Sequence, residues 1–381
     1  MLSINHLKYI LYCTYCVMIF QNSALYAFDL HKNITYPQKN ASINFNIGMP
    51  SFKNNVYITP NSFTFLTETL PIFKEGRKNN PIIKIITLSN ELSVLNETQR
   101  TIEYMMENSY DNPFIDISNV SDSTCYALLN SRGKYRQIYG ISLRSHTIDI
   151  INIPNSGIVP YFYGIEKGSG TGFYLYGSLN SNFFISNYNN IGKQIYTSRY
   201  NIREHIQKIY GITLFKDRVF CALDTTKNNN ETFKLCVCNK NDIVEELEFE
   251  GKEVSLFPYY NDFLLCSYKR ADNLEFILLN EKNMIQETFK VENVKGLVDY
   301  KILEFDKNLY LFMLYKERIN LYELDGQASR LIETKALDGF YSTIGFAIIN
   351  QDTCFVGLGY PVYIKKTNLV QHEIAILKFQ R

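Results

Sequence analysis

Asn308-Leu309-Tyr310-Leu311, a polar residue opening an apolar run, is one of seven such starts in the chain, each entered through small or polar residues. The others are Asn55-Val56-Tyr57-Ile58, Thr124-Cys125-Tyr126-Ala127, Gly172-Phe173-Tyr174-Leu175, Arg218-Val219-Phe220-Cys221, Asp262-Phe263-Leu264-Leu265 and Thr353-Cys354-Phe355-Val356. With the first apolar residue as anchor, the positions are 56, 125, 173, 219, 263, 309 and 354, so the steps are 69, 48, 46, 44, 46 and 45 residues. The residue after the anchor is aromatic in six of the seven copies, Leu264 being the exception. A repeat of this length with β-type composition predicts a β-propeller, in which each blade is a supersecondary unit that cannot cover its own faces. The expected fold is therefore all-β, with four-stranded blades, seven in number, or six if the first copy is misread. An irregular β-sandwich is the competing architecture, and the near-equal steps argue against it.

The runs at the anchors lack in/out alternation, as expected of inner strands covered on both faces by neighbouring blades. In blade one the strands are expected at Ser42–Gly48, Val56–Phe63, Pro81–Thr87 and Glu91–Leu95. Ile102, Met105 and Met106 fall at helical spacing, which predicts a short helical insert over 98–109 and accounts for the long first step. Blades two to six each supply four strands. Blade seven supplies Thr343–Ile349, Cys354–Gly359 and His372–Phe379 and is one strand short. The spare segment Phe28–Pro37 is expected to fill that place, closing the ring by pairing N- and C-terminal segments and covering a sheet edge.

Residues 1–27 have the plan of a secretory signal. His6 and Lys8 precede the apolar run Tyr9–Phe20, and Ala24 and Ala27 supply small residues. The run is shorter than the ~20 residues that a membrane span needs, and the tail Leu377–Arg381 is unlike a glycolipid-anchor signal. The expectation is one propeller domain over 28–381, secreted or held peripherally at the cell surface. Lys and Arg number 39 against 38 Asp and Glu, with no basic stripe to follow a phosphate backbone, which argues against nucleic acid as a partner. Abundant Asn, Ile, Lys and Tyr point to A/T-rich codons, so Asn-based motifs carry reduced weight.

Beyond the signal, six cysteines remain: Cys125, Cys221, Cys236, Cys238, Cys266 and Cys354. An even count in a secreted chain fits disulfides. A bridge from Cys221 to Cys236 or Cys238 would staple the blade-four hairpin, and the leftover cysteine could reach Cys266. Cys125 and Cys354 sit at anchors of non-adjacent blades and are expected as buried thiols. Zinc at Cys236-Val237-Cys238 is the weaker alternative, because a one-residue gap on a strand is not a metal knuckle.

Five glycosylation sequons occur, at Asn33, Asn40, Asn96, Asn119 and Asn230. Gly168-Ser169-Gly170-Thr171-Gly172 resembles a phosphate loop but runs into a strand, so a turn is expected. His31, His146, His205 and His372 are widely spaced and form no metal pair, and no Gly-x-Ser-x-Gly elbow is present. Glu245, Glu246 and Glu248 are expected on a solvated strand face. No catalytic, cofactor or metal residue is assigned.

Between the third and fourth strands of blade three, Tyr188-Asn189-Asn190-Ile191-Gly192-Lys193-Gln194-Ile195 is similar to the Asp-box of sialidase-type propellers, with Asn190 in place of the acid and Gly192 retained. The Ser and Trp of that box are missing. In plan the chain resembles the secreted propeller antigens of malaria parasites and their relatives, the cysteine-rich protective antigen family. That plan comprises a signal peptide, blades of this size, hairpin cysteines and A/T-rich composition. It departs from that family in having fewer cysteines and seven repeats where the family has six blades. The resemblance implies a sialidase-like ring without sialidase activity that binds a secreted or membrane-anchored protein during host-cell invasion. A glycan-binding or glycoside-cleaving propeller is the second expectation, although Arg132, Arg144, Arg199, Arg203, Arg270 and Arg318 show no repeat-phased arrangement toward a ring centre. An intracellular WD-type scaffold is the third.

Overall fold

The computed structural model describes residues 29–36, 42–43, 56–70, 82–101, 114–118, 123–129, 135–154, 161–168, 172–179, 182–200, 208–215, 218–225, 231–239, 243–259, 263–280, 282, 284–305, 308–324, 329–337, 341, 343–350, 353–364 and 369–380. The regular elements among them are β-strands, grouped into seven antiparallel sheets. The chain enters through β1 (Asp29–Tyr36). Blade one holds β2 (Ser42–Ile43), β3 (Val56–Thr59), β4 (Ser62–Leu70), β5 (Ile82–Ser89) and β6 (Val94–Thr101). Blade two is β7 (Phe114–Ile117), β8 (Thr124–Leu129), β9 (Tyr135–Ser142) and β10 (Thr147–Pro154). Blade three is β11 (Tyr161–Lys167), β12 (Phe173–Leu179), β13 (Asn182–Tyr188) and β14 (Gln194–Tyr200). Blade four is β15 (Lys208–Phe215), β16 (Arg218–Asp224), β17 (Thr232–Cys238) and β18 (Ile243–Glu250). Blade five is β19 (Lys252–Tyr259), β20 (Phe263–Arg270), β21 (Asn273–Asn280) and β22 (Ile285–Val291). Blade six is β23 (Leu297–Phe305), β24 (Asn308–Tyr315), β25 (Arg318–Leu324) and β26 (Ser329–Ala336). Blade seven is β27 (Thr343–Asn350), β28 (Thr353–Ile364) and β29 (Leu369–Gln380), completed by β1.

The predicted seven-bladed ring and its closure both hold. β1 pairs antiparallel with β29, from Asp29 opposite Gln380 to Tyr36 opposite Ile374. First strands of successive blades touch one another, as β7, β11, β15 and β19 do, which sets them around the axis. In blades one to six the last strand lies at the outer edge, and in blade seven β1 takes that place.

Two expectations need correction. Val56 does not begin a second strand: the run 56–63 folds back at Pro60 and Asn61, so that Val56 pairs with Phe65 and Thr59 with Ser62. Proline cannot donate to a ladder, and it breaks the run there. The blade-one equivalent of the anchors is Phe63, and β2 and β3 share the innermost place by pairing different parts of β4. Residues 98–101 are the end of β6, paired with β5 up to Ile82 opposite Thr101, so they are not helical. Residues 102–109 of the expected insert lie outside the described residues.

Among the described residues the core consists of seven apolar clusters, one in each seam between neighbouring blades. β24 shows why. Leu309, Leu311 and Met313 pack toward blade five, whereas Tyr310, Phe312 and Leu314 pack toward blade seven, as the two-residue period of a strand requires. Anchors face the preceding blade and the aromatic that follows faces the next: Cys125 and Tyr126, Phe173 and Tyr174, Val219 and Phe220, Cys354 and Phe355 all obey this. In blade five the residue facing backward is Leu264, with Leu265 facing forward. Moving that anchor from 263 to 264 places Val219, Leu264, Leu309 and Cys354 at a uniform spacing of 45 residues. At Gly357 a side chain would run into the Phe346 ring, which is packed into the seam with blade one.

Polar staples cross most seams. Asn350 Nδ2, buried, donates to Thr59 O at 2.8 Å and to Asn90 Oδ1 at 2.9 Å, tying blade seven to blade one. His146 bridges blades one and two, with Nε2 2.8 Å from Thr87 Oγ1 and Nδ1 3.3 Å from Thr98 Oγ1. Tyr200 Oη donates to Asn239 O at 2.6 Å, Tyr300 and Ser267 share a hydrogen bond at 2.8 Å, and Asp299 Oδ2 accepts from the Ile344 N–H at 2.7 Å. The seam of blades two and three is instead closed by the Tyr126 and Phe173 rings, with centroids 4.9 Å apart.

Asn350→Ala removes the shared donor to Thr59 O and Asn90 Oδ1 at a part-buried site and should cost about 0.5–1.5 kcal/mol, read as a lower urea midpoint with an unchanged slope. Burial also holds the His146 imidazole below its ordinary pKa. The folded state therefore binds fewer protons at this site than the unfolded chain. The stability contributed by neutral His146 is present above the unfolded value of about 6.5 and is lost as pH falls toward the folded pKa. His146 has φ +56, a conformation that Asn tolerates. In His146→Asn the drop in urea midpoint between about pH 7 and about pH 5 should be smaller than in the wild type.

Candidate interaction surface

The outer wall has the composition of a one-sided sheet. β18 alternates half-buried Ile243, Glu245, Leu247 and Phe249 with exposed Val244, Glu246, Glu248 and Glu250. β6 is exposed at nearly every position. Large apolar residues are also exposed at or beside the starts of outer strands: Val94 and Leu95 in blade one, Ile191 and Ile195 in blade three, Val244 in blade four, Met284 and Ile285 in blade five and Leu331 in blade six. Ile191 is 75% exposed and Ile195 62%. Because the blades repeat one topology, these starts lie at the same end of the ring and form an interrupted apolar rim.

The rim rests on a repeated turn between third and fourth strands. Asn189 Oδ1 accepts from the Ile191 N–H at 3.2 Å and the Lys193 N–H at 2.8 Å. Asn280 Oδ1 accepts from Lys282 at 2.9 Å and Met284 at 3.0 Å, and Ser89 Oγ accepts from Glu91 at 3.2 Å and Ser93 at 3.1 Å. Short polar side chains capping the backbone two and four residues on are the physical content of these turns. In the Asp-box-like stretch the capping residue is thus Asn189, where the sequence reading placed Asn190. Gly192 has φ +80, and a Cβ there would lie 2.6 Å from Ile151 Cγ2 of blade two, so only glycine lets the turn lie against its neighbour. The Ser or Asn at the end of the third strand in blades one, three and five, Ser89, Asn189 and Asn280, was the available signal.

Charged pairs lie elsewhere on the outer wall. Lys84 Nζ reaches Glu97 at 2.9 Å, Lys234 Nζ reaches Glu246 at 3.0 Å, and Arg270 reaches Glu250 across the seam of blades four and five at 2.5 Å. Exposed pairs of this kind add little stability, about 0–1 kcal/mol each. Glu245, Glu246 and Glu248 lie on the outer strand as expected, although Glu245 is half-buried. Arg318 stacks 4.7 Å above the Tyr315 ring.

The cysteines sort by seam. All six carry unbonded sulfur and are buried. Cys221, Cys236 and Cys238 share the seam of blades three and four, with Cys221 opposite Cys236 in register and its Sγ 3.6 Å from Cys238 Sγ. Burial pushes the Cys221 thiol well above its ordinary pKa, and contact with Cys236 and Cys238 adds to this. Cys266 cannot receive a leftover partner from this group, because it packs in the seam of blades four and five, on the other side of the blade-four sheet. Cys125 and Cys354 lie in separate seams, as expected of their anchor positions. Among the described residues no group of three His, Cys, Asp or Glu is arranged to hold a metal ion, and no helix is long and apolar enough to cross a membrane.

Asn96 is exposed on β6 and Asn33 lies on β1, while Asn40, Asn119, Asn230 and residues 1–27 lie outside the described residues. Gly168 donates its N–H to Gly172 O at 2.9 Å, closing the connection from β11 to β12.

No family model matches the sequence, and no curated protein matches it. Solved structures do. Virginiamycin B lyase from Staphylococcus aureus is 11% identical with a TM-score of 0.52, covering 93% of this chain and 99% of its own. The Dos1 propeller is 7% identical with a TM-score of 0.52, covering 93% and 95%. The WD40 domain of Toxoplasma gondii coronin is 9% identical with a TM-score of 0.50, covering 93% and 88%. These proteins differ in function, and at such identities the likeness is one of fold: the chain is a seven-bladed β-propeller.

Proposed function

We propose that this chain is a secreted, non-enzymatic propeller that binds another protein, itself secreted or membrane-anchored, and serves as an adaptor in adhesion or host-cell invasion. The observation that carries the binding role is the apolar rim, above all Ile191 and Ile195 on blade three, Val244 on blade four and Met284 and Ile285 on blade five. A rigid ring exposing large apolar side chains at repeated positions along one edge offers the kind of patch that protein partners cover. Stable partners bury about 800 Å² per side, which several neighbouring outer strands can supply together. The secretory part of the proposal rests on residues 1–27, and the invasion part on the resemblance in plan to secreted propeller antigens.

The test is a native pull-down of the tagged protein from its own cells, repeated with Ile191→Glu and Ile195→Glu together. Both side chains are exposed, so thermal unfolding should be unchanged. A co-purifying secreted or membrane-anchored protein should fall at least about tenfold in recovery, the equivalent of about 1.4 kcal/mol. A partner retained in full by the variant would move the binding site off the rim. Retention of the protein in the cytosol would contradict secretion.

A further inference from the structure

Three thiols meet in the seam of blades three and four. Cys221 on β16 stands directly opposite Cys236 on β17, and Cys238 follows two residues along on the same face. The Sγ atoms of Cys221 and Cys238 are 3.6 Å apart, and Cys221 also touches the Cys236 thiol. All three are sealed from solvent, with Tyr174, Tyr176, Phe183 and Ile185 of blade three in the same cluster. Residues directly opposite on antiparallel strands have Cβ atoms about 4.5–5.5 Å apart, and disulfides need about 3.5–4.5 Å, so a small local shift suffices. Cys236 and Cys238 cannot bridge each other readily, because residues two apart on one strand are separated by about 6.6 Å with parallel side chains. Cys221 is the sulfur that both other thiols can reach.

We propose that this trio is a thiol–disulfide exchange site: Cys221 forms a disulfide with its register partner Cys236, and Cys238 is the third thiol that can displace Cys236 from it. In forming the bond, one cysteine thiolate attacks the sulfur–sulfur bond of a small disulfide such as oxidised glutathione and releases one glutathione thiol. The second cysteine attacks the protein sulfur of the mixed disulfide and releases the other. Two protein thiols lose two electrons and two protons, and the donor disulfide is reduced to two thiols. In the exchange step Cys238 attacks Cys221 sulfur, Cys236 leaves, and the proton from Cys238 passes to Cys236, with no net oxidation. The packing of blade three over the trio confines the oxidation to folding, before the seam closes. After closure the bond is shielded from external thiols.

The full chain, refolded in mixed reduced and oxidised glutathione, is trapped with N-ethylmaleimide in denaturant and mapped by mass spectrometry without reduction. This readout is independent of where the protein resides and of what it binds. Cys221 should be linked to Cys236 or Cys238 in most molecules. Cys236→Ser should shift the bond wholly to Cys238, Cys238→Ser wholly to Cys236, and Cys221→Ser should leave both remaining thiols alkylated. The wild-type map decides the matter even if a variant misfolds. Recovery of all three as alkylated thiols in refolded wild-type protein, or Cys221 linked to any other cysteine, overturns the proposal.

Discussion

A four-stranded blade has two apolar faces and no means of covering either, and the rest of this molecule follows from that constraint. Each second strand carries apolar residues at successive positions, and the two-residue period sends alternate side chains to the two neighbours. Leu311 and Phe312, both wholly buried, lie in different seams. Stability is thus distributed over seven interfaces of similar construction, and the one between blades seven and one forms only when the ring closes. The pairing of β1 with β29 is therefore structural: it gives the last blade its fourth strand and covers the edge of β29.

The polar groups inside the seams follow the same logic. Asn350, His146, Tyr200, Tyr300 and Asp299 each span from one blade to the next and satisfy groups that packing would otherwise leave unpaired. Apolar packing is tolerant of small slides, whereas hydrogen bonds of fixed geometry set the angle at which one blade meets another. A ring held this way presents its outer strands as a rigid wall, which makes exposed residues such as Ile191 and Met284 usable as binding contacts.

Most of the fold was legible in the sequence because the second strands are buried on both faces and repeat at near-constant spacing. The errors have physical causes. Val56 looked like an anchor because an apolar–aromatic–apolar run also forms an inner-strand hairpin, and Pro60 was the sign that the run breaks there. The blade-five anchor was displaced by one because Phe263, Leu264 and Leu265 are all apolar, so composition carries no face information. The hairpin cysteines were placed correctly on adjacent strands, but Cys266 was not separable from them until the face it occupies was known. The rim was not legible: an exposed Ile195 and a buried Ile185 look alike in sequence, and only their strand positions separate them.

The central claim, that ring closure through β1 completes seven cooperating seams, is tested most directly by native-state hydrogen exchange followed by mass spectrometry. Peptides spanning 29–36 and 369–380 should exchange together, with the same protection, and peptides from second strands such as 308–315 should exchange more slowly still through global opening. Exchange of 29–36 at the rate of an unfolded chain, while 369–380 stays protected, would contradict the account and leave blade seven with an open edge.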